Sequence, residues 1–204
     1  MSVSVKNFKK TVSRETIEKL DLYNELLKKW NQSYNLVKHD TIKDSHSRHF
    51  LDSMQLYDLI DENKTLVDVG SGAGFPGLVL AIMGVKNLTI IESNRKKCLF
   101  MQEVVRQTKT KVSIINERVE TICDNYQQIT SRAFSSLSNL LRMSKSVSRE
   151  TEIVCYFLKG EKGLEEIDEA KKEGWAFKYE VIPSIVERKG VVLKIWDTKI
   201  NESS

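Results

Sequence analysis

Apolar residues recur at three- and four-residue intervals over residues 13–31, SRETIEKLDLYNELLKKWN. There Ile17, Leu20, Tyr23, Leu27 and Trp30 share a face and predict a helix opened by a Ser-x-x-Thr start. Residues 42–60, IKDSHSRHFLDSMQLYDLI, predict a second helix with Phe50, Met54, Leu56 and Leu59 as its apolar side. From residue 65 the pattern changes. TLVDVG (65–70) reads as a strand, GLVLAIMG (77–84) as a helix, NLTIIES (87–93) as a strand and RKKCLFMQEVVRQT (95–108) as a helix. KVSIIN (111–116) and QQITSRAF (127–134) follow as strands, then LSNLLRMSKSV (137–147) as a helix. EIVCYFLKG (152–160) is a strand, GLEEIDEAKKEG (163–174) a helix, and WAFKYEVIPS (175–184) and GVVLKIWDT (190–198) are strands.

Strands alternating with helices predict an α/β fold with a parallel sheet covered on both faces. The connection IVERKG (185–190) that joins the last two strands is too short for a parallel crossover, so the end of the sheet must contain an antiparallel strand, the chain's terminal one. Two parts are expected: a helical N-terminal cap over residues 1–62, and a Rossmann-like domain over residues 63–204.

Composition adds limits. At 204 residues, 40% hydrophobic and 29% charged, the chain can bury a proper core. Its three cysteines, Cys98, Cys123 and Cys155, are far apart, which argues against a disulfide framework or a zinc site. Cys123 and Cys155 read as core thiols. The N-terminus MSVSVKNFKKTVSRET has no apolar signal region, and the longest apolar run, LVLAIM, is too short to cross a membrane. A cytoplasmic location is expected. A net charge of +4 permits a polyanionic partner without requiring one.

The chemistry is concentrated in TLVDVGSGAGFPG (65–77), which holds Gly70, Gly72, Gly74 and Gly77 of the chain's nine glycines. Glycine lacks a Cβ and tolerates positive φ, so such a loop lets backbone approach a ligand. Between the first strand and its helix, it sits where open parallel sheets bind nucleotide-like molecules. Two patterns overlap. Gly72-Ala-Gly74-Phe-Pro-Gly77 fits the dinucleotide fingerprint, whereas Asp68 with Gly70, Gly72 and Gly74 fits a loop for S-adenosylmethionine (SAM). The single Rossmann-sized domain and the hairpin-like terminal strands favour SAM. Glu92, at the end of the second strand, is placed to accept from ribose hydroxyls in either case.

The chain resembles the glucose-inhibited division protein B family, small-subunit RNA methyltransferase G. The resemblance runs nearly end to end through WNQSYNLV (30–37), SRHFLDSM (47–54), LVDVGSGAGFPGLVLAI (66–82), IIESNRKKCLFMQEV (90–104), ERVE (117–120), SRAF (131–134) and FLKG (157–160). It implies a class I SAM-dependent methyltransferase fold with a seven-stranded, mostly parallel sheet, and methylation of guanine N7 in 16S ribosomal RNA. It further implies SAM contacts at Gly70, Gly72, Gly74 and Phe75, ribose contact at Glu92, and adenine flanked by Val119 and Glu120. Arg132 would face both cofactor and target base. Ala73 and Phe75 stand where the family often has proline and leucine.

Guanine N7 has a lone pair and no proton to lose, so methylating it needs positioning rather than a strong base or a covalent nucleophile. With only Pro76 and Pro183 available, the chain has no Asn-Pro-Pro-Tyr motif and no Pro-Cys nucleophile. Arg132 and Lys159, past the ends of parallel strands, are the candidate catalytic residues. A bidentate arginine on guanine O6 and N7 would block N7, which leaves O6, a phosphate or the cofactor carboxylate for Arg132; the plainer role is an ion pair with Glu92 or Glu120. His46, His49 and Asp52 share a helical face; packing and hydrogen bonding at the seam below the cap is the expected role, and no metal site is expected. Trp30 and Tyr34 read as core. Lys28, Lys29, Lys38, Arg48, Arg95, Lys96, Lys97, Arg188 and Lys189 are available for RNA phosphate. The expected partner is 16S RNA within the 30S subunit or a precursor, and the expected state is a monomer. The rival readings are a nicotinamide-dependent oxidoreductase and a non-catalytic nucleic-acid-binding module.

Overall fold

The computed structural model describes residues 12–42, 44–132, 135–148 and 152–200. Most of the N-terminal stretch read above for a leader, the NESS tail, and Ala133 and Phe134 of SRAF lie outside the described residues.

Seven strands form one sheet in the order β3-β2-β1-β4-β5-β7-β6. They are β1 Leu66–Val69, β2 Leu88–Ile91, β3 Ser113–Ile115, β4 Gln128–Arg132, β5 Val154–Lys159, β6 Trp175–Pro183 and β7 Val191–Ile200. All neighbouring pairs among β1 to β5 are parallel; β7 runs antiparallel to both β5 and β6. The antiparallel strand expected in the end of the sheet is β7, the chain's terminal strand, which lies between β5 and β6.

The helices are α1 Arg14–Tyr34, α2 His39–Ile42, α3 Asp52–Met54, α4 Gly77–Ile82, α5 Arg95–Thr108, α6 Leu137–Val147 and α7 Gly163–Lys172. Successive strand residues supply opposite faces of the sheet. Leu66, Ile90, Leu158 and Val192 join α1, α4 and α5 in one apolar cluster. Val67, Val69, Ile91, Phe157 and Leu193 join α6 and α7 in the other. The N-terminal helices thus share a core with the sheet.

Ser13 caps α1, its Oγ accepting from Thr16 N–H at 3.1 Å, and Asn35 ends it in the left-handed conformation at φ 47°. The helix expected over 42–60 is instead broken into α2, a π-helical turn His46–Leu51, α3 and a 3-10 turn Tyr57–Leu59. Side-chain donors share the carbonyls of this stretch. Arg132 Nη1 donates to the Arg48 carbonyl at 2.8 Å and the Ser53 hydroxyl to that of His49 at 2.6 Å, which also accepts from the Asp52 N–H. Two core expectations fail. Tyr34 is 46% exposed, in the last turn of α1 against Trp30, and Cys123 is exposed in the irregular stretch after the 3-10 turn Val119–Thr121.

Candidate active site

β1 is followed by Gly70, whose φ of 65° turns the chain out of the sheet while its N–H still donates to Ile91 O at 3.0 Å. Asp68 is fully buried beneath the loop that follows. Its Oδ2 accepts from Gly77 N–H at 2.9 Å, tying α4 down, and its Oδ1 accepts from the Thr130 hydroxyl at 2.9 Å on the neighbouring strand. Burial pushes its carboxyl up to about 6, against the pull of these hydrogen bonds. From above, Tyr23 of α1 donates to Ala73 O at 2.5 Å and stacks on Phe75 with ring centroids 5.3 Å apart. The loop is held from both sides.

The glycines divide by role. A Cβ on Gly74 (φ +105°) would lie 2.6 Å from Tyr23 Oη and 2.9 Å from Leu78 Cβ, and one on Gly77 would lie 2.7 Å from Asp68 Cβ. Those two permit packing. A Cβ on Gly72 (φ +63°) would meet only Lys97 Nζ, at 4.0 Å. That position opens onto a cleft of about 1020 Å³.

The cleft's floor is Gly70–Ala73 with Phe75; one wall is Glu92, Ser93, Asn94 and Lys97, and the other runs from Asn35 to Thr41. Glu92 at the end of β2 is fixed by two backbone donors, Gly72 N–H on Oε2 at 2.8 Å and Asn94 N–H on Oε1 at 2.7 Å. Each carboxylate oxygen keeps a further lone pair, so Glu92 can accept from a ligand diol while bracing the loop. A floor opened to backbone approach at Gly70 and Gly72, beside an anchored carboxylate at the end of the second strand, fits SAM.

Thr41, His49 and Arg132 also line a second cleft of about 480 Å³, reaching Asp52, Lys159 and the 184–190 connection. Arg132, with 16% of its side chain exposed, stands in the shared wall. Its Nη1 donates to Arg48 O and to His49 Nδ1 at 2.9 Å, and Asp52 Oδ2 is 3.6 Å away. Its guanidinium carbon lies 4.9 Å from the Phe75 ring centroid. The ion pair is therefore with Asp52, not with Glu92 or Glu120. Burial raises the Asp52 carboxyl to about 6 although Arg132 opposes it. Burial, then the charges of Arg132 and Arg48, push His49 down to about 3.

Of the residues expected to bind cofactor, Gly70, Gly72, Phe75, Glu92 and Arg132 line the larger cleft. Gly74 packs beneath Tyr23, Val119 is buried in the core cluster on the α6 face, and Glu120 is exposed; none of the three lines that cleft. Lys159 lines the second cleft, but its ammonium donates to Ser135 O and Glu166 Oε2, both at 2.7 Å. The same Glu166 oxygen accepts from Leu137 N–H at 2.6 Å, so Lys159 joins β5 and α7 to the start of α6. Of the three-residue face His46-His49-Asp52, the last two converge on Arg132, and His46 is exposed with its ring 6.1 Å from that of Phe50. Sequence reasoning missed Tyr23 and Thr41: a tyrosine at helical spacing looks like core, and neither polar contact has a local signature.

A sequence profile of the family described as rRNA small subunit methyltransferase G (GidB) matches residues 16–192. A ribosomal RNA small subunit methyltransferase G of Rickettsia akari is 42% identical over 185 residues, 90% of this chain and 95% of the relative. The protein of that name from Paramagnetospirillum magneticum is 44% identical over 189 residues, 92% of this chain and 91% of its own. Among solved structures, M. jannaschii TYW2 in complex with AdoMet superposes with a TM-score of 0.55 at 16% identity, covering 81% of this chain and 78% of that one. A mutant of MtNAS in complex with S-adenosylmethionine gives 0.58 at 12% identity, over 89% and 75%. These two show the fold alone. The chain belongs to the rRNA small subunit methyltransferase G family.

Proposed function

We propose that this protein methylates N7 of a guanine in 16S ribosomal RNA, using SAM and releasing S-adenosylhomocysteine. The observation that carries the reading is the pair of clefts meeting at Arg132, one floored by the glycine loop and the other beside the ends of β4 and β5. Bound in the larger cleft, SAM supplies an electrophilic methyl group to a nitrogen that has no proton to lose.

The chain's own part is positional. Gly70, Gly72 and Phe75 form the floor, Glu92 takes the ribose hydroxyls, and Thr41 and His49 close the wall. Arg132 presents its guanidinium to both clefts, where it reaches guanine O6, a phosphate or the cofactor carboxylate. The methylated purine carries a positive charge, and Asp52 and Glu187 at the second cleft provide negative charge near it. Lys159 serves by holding the start of α6. Val119 and Glu120 join the adenine site only if the wall moves toward them. The segment before residue 63 contributes walls to both clefts and works as one unit with the sheet.

Recognition of RNA within a 30S particle, a monomeric state and a cytoplasmic location complete the reading, since a mildly basic surface leaves much of the selection to RNA shape. The test is to map N7-methylguanosine in 16S RNA from cells with and without this protein. Purified enzyme is then compared on naked RNA and on 30S subunits lacking the mark. Loss of one N7-methylguanosine in the deleted strain, and preference for the particle, are expected. An unchanged map overturns the function; equal activity on both substrates overturns the particle preference.

A further inference from the structure

Arg132 is held entirely through one nitrogen. Nη1 donates to the Arg48 carbonyl at 2.8 Å and to His49 Nδ1 at 2.9 Å, and it is also the nitrogen nearest Asp52. Among the described residues, Nε and Nη2 have no hydrogen-bond acceptor. Their three N–H groups are left for whatever occupies the clefts that Arg132 borders.

The roles along the neighbouring contacts follow from donor counting. An arginine only donates, so His49 Nδ1 accepts. The Thr41 hydroxyl donates its single proton to Lys38 O at 2.7 Å, so at its 2.9 Å contact with His49 Nε2 it accepts, and Nε2 carries the proton. The result is a one-way chain from Arg132 through His49 and Thr41 to the Lys38 carbonyl, in which each link polarises the next. The imidazole is further fixed by lying over Phe75, with ring centroids 5.0 Å apart, the same ring that the guanidinium covers.

We propose that His49, as a neutral imidazole protonated on Nε2, is a positioning residue: it occupies one Nη1 hydrogen of Arg132 and thereby turns the guanidinium's free edge toward the two clefts. This assignment rests on Arg132 acting in the proposed methyl transfer, but the state of the imidazole does not. Without the acceptor at Nδ1, Arg132 keeps the Arg48 carbonyl as its one close fixed point and can swing about it.

Two measurements test this. In nitrogen-15 NMR of the full-length wild-type protein, His49 is expected to show a proton on Nε2 and none on Nδ1 from pH 5 to pH 8. An Nδ1–H tautomer or an imidazolium in that range overturns the proposal whatever the enzyme does. In single-turnover methyl transfer to unmethylated 30S subunits at saturating SAM, His49→Leu is expected to lower the rate about 100-fold, the typical cost of a misplaced catalytic group. His49→Asn, whose Oδ1 falls near the position of Nδ1, is expected to recover most of that loss. His49→Gln, which reaches the Nε2 end instead, should not recover it. Recovery by Gln as well as Asn, or losses that track melting temperature alone, overturns the positioning role. Wild-type protein that binds SAM yet methylates no RNA would instead overturn the function proposed above and leave the NMR result standing.

Discussion

Gly72 and Gly74 are neighbours in the loop under different constraints. An Ala at 74 meets Tyr23 Oη and Leu78 at a φ of +105°, and its strain and overlap together should cost about 3 kcal/mol or more. An Ala at 72 meets only open cleft, so its cost should be the left-handed backbone alone, about 1–2 kcal/mol. Urea titration and SAM calorimetry on the pair should separate them: Gly74→Ala loses stability, whereas Gly72→Ala folds but binds SAM at least about tenfold more weakly, near 1.4 kcal/mol. Asp68 makes a prediction of opposite kind. Its carboxyl is raised from 3.8 to about 6 in the folded chain, so the native state holds that proton more tightly than the unfolded state does. Its contribution to stability is present below pH 4 and is lost as pH rises toward 6. Asp68→Asn keeps a hydrogen-bonding amide there, so its stability relative to wild type should improve across that window in denaturant melts; a constant difference would contradict the assignment. The glycines and Asp68 were legible as a ligand loop from their spacing. That Asp68 sits beneath the loop rather than in the cleft was not, because its partners Gly77 and Thr130 are set by strand register.

Among the elements, β1, β2, α5 and α6 follow their apolar periodicity closely, because each buries a face whose spacing the chain displays directly. Two features escaped that reading. The insertion of β7 between β5 and β6 depends on a pairing such as Phe157 with Leu193, which no local pattern encodes. The broken segment after α2 meets Arg132, a residue from β4 that donates to the Arg48 carbonyl, a contact no local pattern displays. Lys159 shows a related limit. Its place at a strand end suggested chemistry, and its ammonium instead joins β5 to α7 and α6 through Glu166 and Ser135. Lys159→Met should destabilise the chain by about 2–3 kcal/mol, below the 3–5 kcal/mol of a fully buried pair because Glu166 keeps some solvent. Adding Glu166→Gln should recover part of that loss in a double-mutant cycle. Simple additivity would mean the contact contributes nothing.

At the scale of the whole molecule, each opening carries cations among its lining residues. Lys38 and Lys97 border the larger cleft, and Arg48 and Arg188 border the second. A cation that meets RNA phosphate contributes a salt-dependent increment to affinity. Arg188→Ala should therefore weaken RNA binding without moving SAM affinity, and should reduce the slope of log affinity against log salt by about 1. An unchanged slope would place the RNA backbone elsewhere.

One partition separates the two chambers, and the guanidinium of Arg132 faces both sides of it, beside Thr41 and His49. Whatever draws that group toward one chamber alters what the other offers its occupant. Under the proposed function a nucleoside in one chamber and RNA in the other meet the same group, and by reciprocity any change one makes in the other's hold is returned by the same factor. On that reading, RNA affinity measured with the spent nucleoside, which lacks the methyl and its sulfonium charge, should differ from affinity measured with the fresh one.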